Sequence, residues 1–480
     1  MIRNKPLSFI KQKKIALIFC VVLVAILCIF LRLYRIDHTI EFWGDIGRDH
    51  EKLMEWYQTG KPPLNGPNTI LKIVNQSPWF FYVNYPVFLL LKSPLTMTIT
   101  VTSLMIGAFF AGLFILKKQK KEQFVFLILF LLTSIHPLIV QQQRTPWNPS
   151  FSIPFLILGI ACYLRLYKLF SKSILGVALI AYCMALGMTY SLFPVIALLS
   201  ILLFLKTPKE MKSVFIIYLI ISFFIIFLPN IVFEIKSNFF LLRRFPGGIN
   251  IPPVSGTFFS KIVFAFSTVI FGGEKTPIFF WEIVALPLIV LIHLYKSYLS
   301  KNNHDSAYIY YFKIAIIGTF ITLLMPFQQG YYLLGVMILW FLVVAHMKKP
   351  YLFTALILCI IFWYKPIWKG EALRPIAQLD QCAKEFCSKY PGKYYVSANA
   401  WHGMHSAHDQ AFFINKNGCT ARDIISHPEW KTDKMIVVAD RSLFTPYQSS
   451  YYELEQFGSY DVKQYLFCSQ DLQYWLLQKK

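Results

Sequence analysis

The chain has 480 residues, of which 56% are hydrophobic, 17% aromatic and only 15% charged, with a mean hydropathy of +0.51. That balance excludes an ordinary soluble domain and points to a polypeptide that crosses a membrane repeatedly. The formal net charge of +23 would suit a nucleic-acid partner, but the basic residues fall in short clusters between apolar runs, so nucleic acid is set aside and most of the charge reads as orientation signal, the remainder being available to an anionic lipid.

The N-terminal flank MIRNKPLSFIKQKK is basic, and residues 15–33 are the first run of the roughly 20 residues needed to cross hydrocarbon. The run is long for a signal peptide and lacks a small-residue cleavage site, so it reads as an uncleaved anchor. Further apolar runs fall at residues 94–116, 123–140, 151–167, 174–190, 191–205, 213–230, 277–296, 307–326, 331–346 and 350–366. The sum is about eleven transmembrane helices. Residues 77–91 (SPWFFYVNYPVFLLL) are short and hold two prolines, and read as re-entrant or interfacial; residues 254–270 read as an amphipathic piece outside or half inserted.

With those two segments set aside, the basic loops KKQKKE (117–122), RLYKLFSK (165–172), KTPKEMK (206–212), KSYLSKNNHD (296–305) and HMKKP (346–350) all fall on the side of the N-terminus. Cytoplasmic loops are rich in Lys and Arg, so that side is the cytoplasm. The external side receives the first loop (34–77), QQQRTPWNP (141–149), residues 230–277, the turn PFQQGYY (326–332) and a polar tail. The expected organisation is a transmembrane domain over residues 1–368 and a small external α/β domain over residues 369–480.

In the tail, Ile376, Leu379, Ala383 and Phe386 recur at helical spacing, whereas KYYVSA (393–398) and KMIVVAD (434–440) alternate like strands. Cys382, Cys387, Cys419 and Cys468 allow three connectivities, and an oxidising external compartment favours one or two disulfides. WHGMHSAHD (401–409) concentrates His402, His405, His408 and Asp409 but matches no zinc motif, so it reads as surface or packed residues.

The spans are nearly free of charge, while acids and amides gather at one interface. That suits an enzyme whose substrate is partly lipid, such as a polyprenyl-phosphate sugar with its chain in the bilayer and its head at the surface. Glycosyl transfer from it needs a carboxylate to take the acceptor proton and cations to meet the departing phosphate. EFWGDIGRDHEKL (41–53) offers Asp45 as the base and Asp49 as a second acid; Glu41 and Glu51 read as solvated. Arg48, Arg144, Arg243 and Arg244 are candidates for the phosphate, because a planar guanidinium can grip it bidentately. A helix over residues 46–58 would put Asp45 and Asp49 on one face, to share a ligand or to pair around Arg48. The structural alternatives are an N-cap role for Asp45, with Asp49 compensating the helix dipole, and an interfacial, snorkelling role for Arg144 beside Trp147. Asn148, Glu234, Gln328, Tyr331 and Tyr332 are further candidate substrate contacts.

WGDIGRD (43–49) with GKPPLNGP (60–67), QRTPWNPSFSIP (143–154) and LPNIVFEIKSNFFLLRR (228–244), in that order along the spans, resemble the GT-C class of polytopic glycosyltransferases. The nearest groups are the protein O-mannosyltransferase and aminoarabinose transferase-like families. The resemblance implies a catalytic acid in the first external loop, best matched by Asp45, and inverting transfer from a lipid-phosphate donor. Relatives commonly carry an Asp-Glu pair, whereas Ile46 follows Asp45 here. No cofactor is required by the sequence, and a divalent metal has no motif to support it. The expected partners are a polyprenyl-phosphate sugar donor, membrane lipids and an acceptor of unspecified class. The competing readings are a transporter or flippase of lipid-linked saccharides and a non-catalytic scaffold.

Overall fold

A computed structural model of the chain describes residues 7–40, 42, 44–67, 75–239, 243, 306–324, 333–363, 372, 374–399, 407–425, 427–440, 444–445, 447–449, 451–468 and 472–480. The expected span at 277–296 and the amphipathic piece at 254–270 lie outside the described residues. The chain is mostly helical and divides into two compact units: residues 1–34, 64–80 and 98–367 in one, and residues 35–63, 81–97 and 368–480 in the other.

The helices run α1 (Leu7–Leu33), α2 (Ile36–Thr39), α3 (Asp45–Thr59), α4 (Trp79–Leu91), α5 (Thr96–Ile115), α6 (Lys120–Ile135), α7 (Pro137–Arg144), α8 (Asn148–Lys168), α9 (Lys172–Met188), α10 (Phe193–Lys206), α11 (Lys212–Lys236), α12 (Ser306–Leu323), α13 (Leu334–Ala345), α14 (Lys349–Trp363), α15 (Ile376–Lys389), α16 (His408–Lys416) and α17 (Tyr452–Phe457). Among the described residues, four segments are long and apolar enough to cross a membrane: Ile15–Leu33, Thr96–Ile115, Asn148–Lys168 and Lys209–Lys236. The pair α6 and α7, bent by 63°, would make a fifth if it is one span. Several others of the eleven expected crossings are shorter apolar helices among the described residues. Ile18, Phe19 and Leu23 of α1 and Ile217, Ile220 and Phe224 of α11 are exposed, and hydrocarbon is the environment that covers such faces without cost. The chain is a multi-pass membrane protein.

In the first unit, α8 and α9 pack closely because Gly159 leaves room for the Tyr182 ring, whose hydroxyl donates to the Gly159 carbonyl at 3.2 Å. The run expected at 123–140 breaks at His136, since Pro137 has no N–H to continue the ladder. Arg32, fully buried, answers the break: its Nη1 donates to the carbonyls of Cys28 (3.0 Å) and Ser134 (3.1 Å), and its Nε to Gln143 Oε1 (2.7 Å). Carbonyls near the C-termini of α1 and α6, which carry partial negative charge, thus converge on one guanidinium.

Arg144, expected as a phosphate ligand or a snorkelling residue, performs a similar task. It is buried, and it donates to the carbonyls of Leu31 (3.0 Å), Arg32 (3.4 Å) and Tyr34 (3.0 Å), the last acceptors of α1. Asn148 is buried at the start of α8 and donates to the Met188 carbonyl at 3.0 Å and to Gln76 Oε1.

The second unit holds a five-stranded sheet in the order β2 (Thr420–Asp423), β1 (Lys393–Asn399), β3 (Lys434–Asp440), β5 (Leu472–Lys479), β4 (Tyr460–Phe467). β1 is parallel to β2 and β3, whereas β5 is antiparallel to β3 and β4. The parallel step from β1 to β2 crosses over through α16, as parallel neighbours require. Ile376, Leu379, Ala383 and Phe386 of α15 are all buried, as their spacing predicts. Cys387 and Cys419 form a disulfide that ties α15 to the chain entering β2. Cys382 and Cys468 are free thiols.

Replacing Arg144 by Met removes three hydrogen bonds to the end of α1 and is expected to cost about 1–3 kcal/mol. Thermal unfolding in detergent will show it as a lowered Tm, with affinity for a polyprenyl-phosphate lipid unchanged. An unchanged Tm with lost lipid affinity would make phosphate binding, not bracing of α1, the role of Arg144.

Candidate active site

The site is built on α3, which runs from Asp45 to Thr59 between two glycines in left-handed backbone, Gly44 (φ 55°) and Gly60 (φ 68°). Such φ values strain residues with a Cβ, so the two glycines are what let the chain enter and leave the helix sharply. Gly44 occupies the N-cap, and no side chain caps the helix. Asp45 is therefore not the cap; its carboxylate is engaged elsewhere.

Asp45, Arg48 and Asp49 form one charge network. Arg48 Nη1 lies 2.5 Å from Asp45 Oδ1, while its Nε and Nη2 donate to Asp49 Oδ1 at 3.0 and 2.8 Å. The two acids differ in exposure: the Asp45 side chain is 50% exposed, the Asp49 side chain 0%. Only Asp45 can meet a substrate directly, and Asp49 serves as the buried anchor for the arginine between them. A guanidinium has five N–H donors. The three bonds to the acids leave one N–H on each terminal nitrogen of Arg48.

Burial pushes the Asp49 carboxyl up to about 6; Arg48 draws it down, and the charge of Asp45 adds to the rise. Its Oδ2 is buried with no hydrogen-bond partner among the described residues, which gives the proton a place to sit. His50, one residue on, is held neutral: burial lowers it to about 4, and its Nδ1 donates to the Ile46 carbonyl at 2.9 Å. Its ring packs edge-on against Phe42 and Phe412, inside the apolar seam between α3 and α16.

Of the other candidates, Arg243 is exposed, and Glu234 is half-buried near the end of α11. Arg244, Gln328, Tyr331, Tyr332, His402, His405 and Glu41 lie outside the described residues. Glu51 corrects its reading as solvated: its carboxylate pairs with His408 Nδ1 at 2.5 Å, and both side chains are mostly buried. His408 thus comes from the histidine-rich stretch to the flank of α3. Nothing in the sequence named this partner, 357 positions away.

No protein-family model matches the chain, and no curated protein sequence matches it. Among solved structures, the chain is similar to ArnT from Cupriavidus metallidurans in the apo state, at 10% identity and a TM-score of 0.48 over 97% of this chain and 98% of that one. It is similar to ArnT from the same organism bound to undecaprenyl phosphate, at 11% identity and a TM-score of 0.48 over 96% and 97% of the two chains. A third likeness is to the oligosaccharyltransferase of Archaeoglobus fulgidus in complex with Zn and sulfate, at 11% identity and a TM-score of 0.45 over 88% and 68%. Overlap of this degree leaves the functional reading to the residues of this chain.

The raised Asp49 carboxyl makes a signed prediction. Because its folded value of about 6 exceeds that of an unfolded aspartate, the folded protein binds the extra proton, and stability rises as pH falls from about 6 to about 4. Tm measured across that window should show this rise in the wild type and lose it in Asp49→Asn.

Proposed function

We propose that the chain is a membrane glycosyltransferase that takes a sugar from a polyprenyl-phosphate donor and passes it to an acceptor on the external face of the membrane. The observation that carries the reading is an exposed carboxylate, Asp45, oriented by an arginine that a fully buried second acid, Asp49, fixes in place. The general chemistry follows from these groups. Asp45 takes the proton from the acceptor hydroxyl or amine while that atom bonds to the anomeric carbon. The bond from that carbon to the phosphate oxygen breaks, its electron pair leaves with the lipid phosphate, and the proton stays on Asp45. Arg48, with an N–H left on each terminal nitrogen, is placed to meet the charge that grows on the phosphate. No covalent intermediate is needed, in keeping with the inverting course that the motif resemblance implies.

Arg144, Arg243 and Arg244 remain proposed contacts for the donor phosphate, and Asn148, Glu234, Gln328, Tyr331 and Tyr332 proposed substrate contacts. The orientation, with the N-terminus in the cytoplasm and the tail outside the plasma membrane, is supported by the basic loops and by the Cys387–Cys419 disulfide, a bond that persists in oxidising compartments. Neither step calls on a metal: the positive charge between the two carboxylates is that of Arg48.

Purified protein supplied with polyprenyl-phosphate sugars tests the reading. Asp45→Asn is expected to reduce transfer by roughly two to four orders of magnitude, with the folded protein retained. Full transfer by that variant removes Asp45 from the chemistry.

A further inference from the structure

Residues 35–63 of the first external loop and the tail belong to one compact unit, and the contact between them is unusually close. A Cβ built on Gly47 would lie 2.5 Å from both the backbone N and the Cα of Asp409, the second residue of α16. One helical turn further along α3, Glu51 meets His408, the first residue of α16, at 2.5 Å. Phe42 packs against Phe412 and Phe413 beside these contacts. Gly47 and Glu51 are four residues apart and share a flank of α3, whereas Asp45 and Asp49 share another. A helix held at two points on one flank cannot turn about its axis, and its axial rotation is what decides where Asp45 points.

We infer that His408 is a positioning residue for the acid cluster: its ion pair with Glu51, set beside the backbone contact at Gly47, locks the rotation of α3 and so the aim of Asp45. This rests on the glycosyl-transfer reading for its effect on rate, though not for its effect on α3. The imidazole does not touch the reacting atoms.

The lock depends on charge, and the sign follows from its surroundings. Burial disfavours the His408 imidazolium, but the hydrogen bond and charge of Glu51, with Asp423 of β2 behind, outweigh it and hold the group above the ordinary histidine value; Arg48 opposes them. Next to it, Asp409 is fully buried and faces Arg374 and Gln410, with burial raising its carboxyl. A histidine raised in this way keeps its pair at and below the usual histidine range and loses it as pH climbs through the raised value. Activity should therefore carry an alkaline limb that belongs to His408.

Glu51→Gln removes the partner charge and keeps the shape. We expect kcat for transfer to fall by roughly ten- to a hundredfold with the donor KM little changed, since a misaimed base slows chemistry more than binding. The alkaline limb should move to lower pH, and amide hydrogen exchange within residues 45–59 should quicken at pH 7. His408→Gln should repeat the loss of kcat and abolish the limb. An alkaline limb unmoved by Glu51→Gln, or exchange in α3 equal to that of the wild type, overturns the inference. Should a variant fail to fold, the wild type decides: exchange in residues 45–59, corrected for its intrinsic pH dependence, must rise as His408 loses its proton, and a flat profile overturns the lock. A wild type without transfer activity would defeat the glycosyl-transfer reading and leave the exchange result to judge the lock alone.

Discussion

A carboxylate with no access to water must find a cation or keep its proton, and Asp49 does some of each. Its burial costs free energy whenever it is ionised, and the Arg48 guanidinium at 2.8 Å offsets part of that cost. The same guanidinium is thereby fixed in one place, with Asp45 at its outer side. An exposed Arg–Asp pair alone would be a loose surface contact worth little. Anchoring one end in a buried acid turns it into a rigid fork that presents a single exposed carboxylate. Stability is spent at α3, and a defined charge geometry at the surface results.

The arginines of this chain divide by what neutralises them. Arg32 and Arg144 are buried and donate to carbonyls near the end of α1, and Arg32 also to one at the break after α6. Their charge is met by helix C-termini, so they brace the membrane unit. Arg48 is met by acids and has N–H groups to spare. A helix end and a phosphate both present oxygen acceptors to a guanidinium, so sequence alone does not separate the two environments.

Periodicity made the elements legible where it was strong. The helix expected at 46–58 spans Asp45–Thr59, α15 buries the four residues its spacing selected, and the strands at 393–398 and 434–440 stand as β1 and β3. The pairing of Asp45 and Asp49 around Arg48 was among the arrangements that i, i+4 spacing allows. What sequence spacing could not show were contacts across hundreds of residues. Glu51 looks like any solvated glutamate until His408, 357 positions later, is brought against it. The bend at His136 was masked by apolar residues on both sides of Pro137, since hydropathy is blind to a missing N–H. The disulfide between Cys387 and Cys419 is one of six possible pairs among the four tail cysteines, and the packing of α15 beside β2 selects it.

The central claim is that the exposed edge of the Asp45–Arg48–Asp49 network is where donor phosphate and acceptor meet. A structure of the protein in lipid nanodiscs with a non-hydrolysable polyprenyl-phosphate sugar tests it most directly. The account predicts phosphate oxygens within hydrogen-bond distance of the Arg48 terminal nitrogens and the anomeric carbon facing Asp45, with Asp49 still bound to Arg48. A donor headgroup seated away from α3, with the network undisturbed and closed to it, would contradict the account.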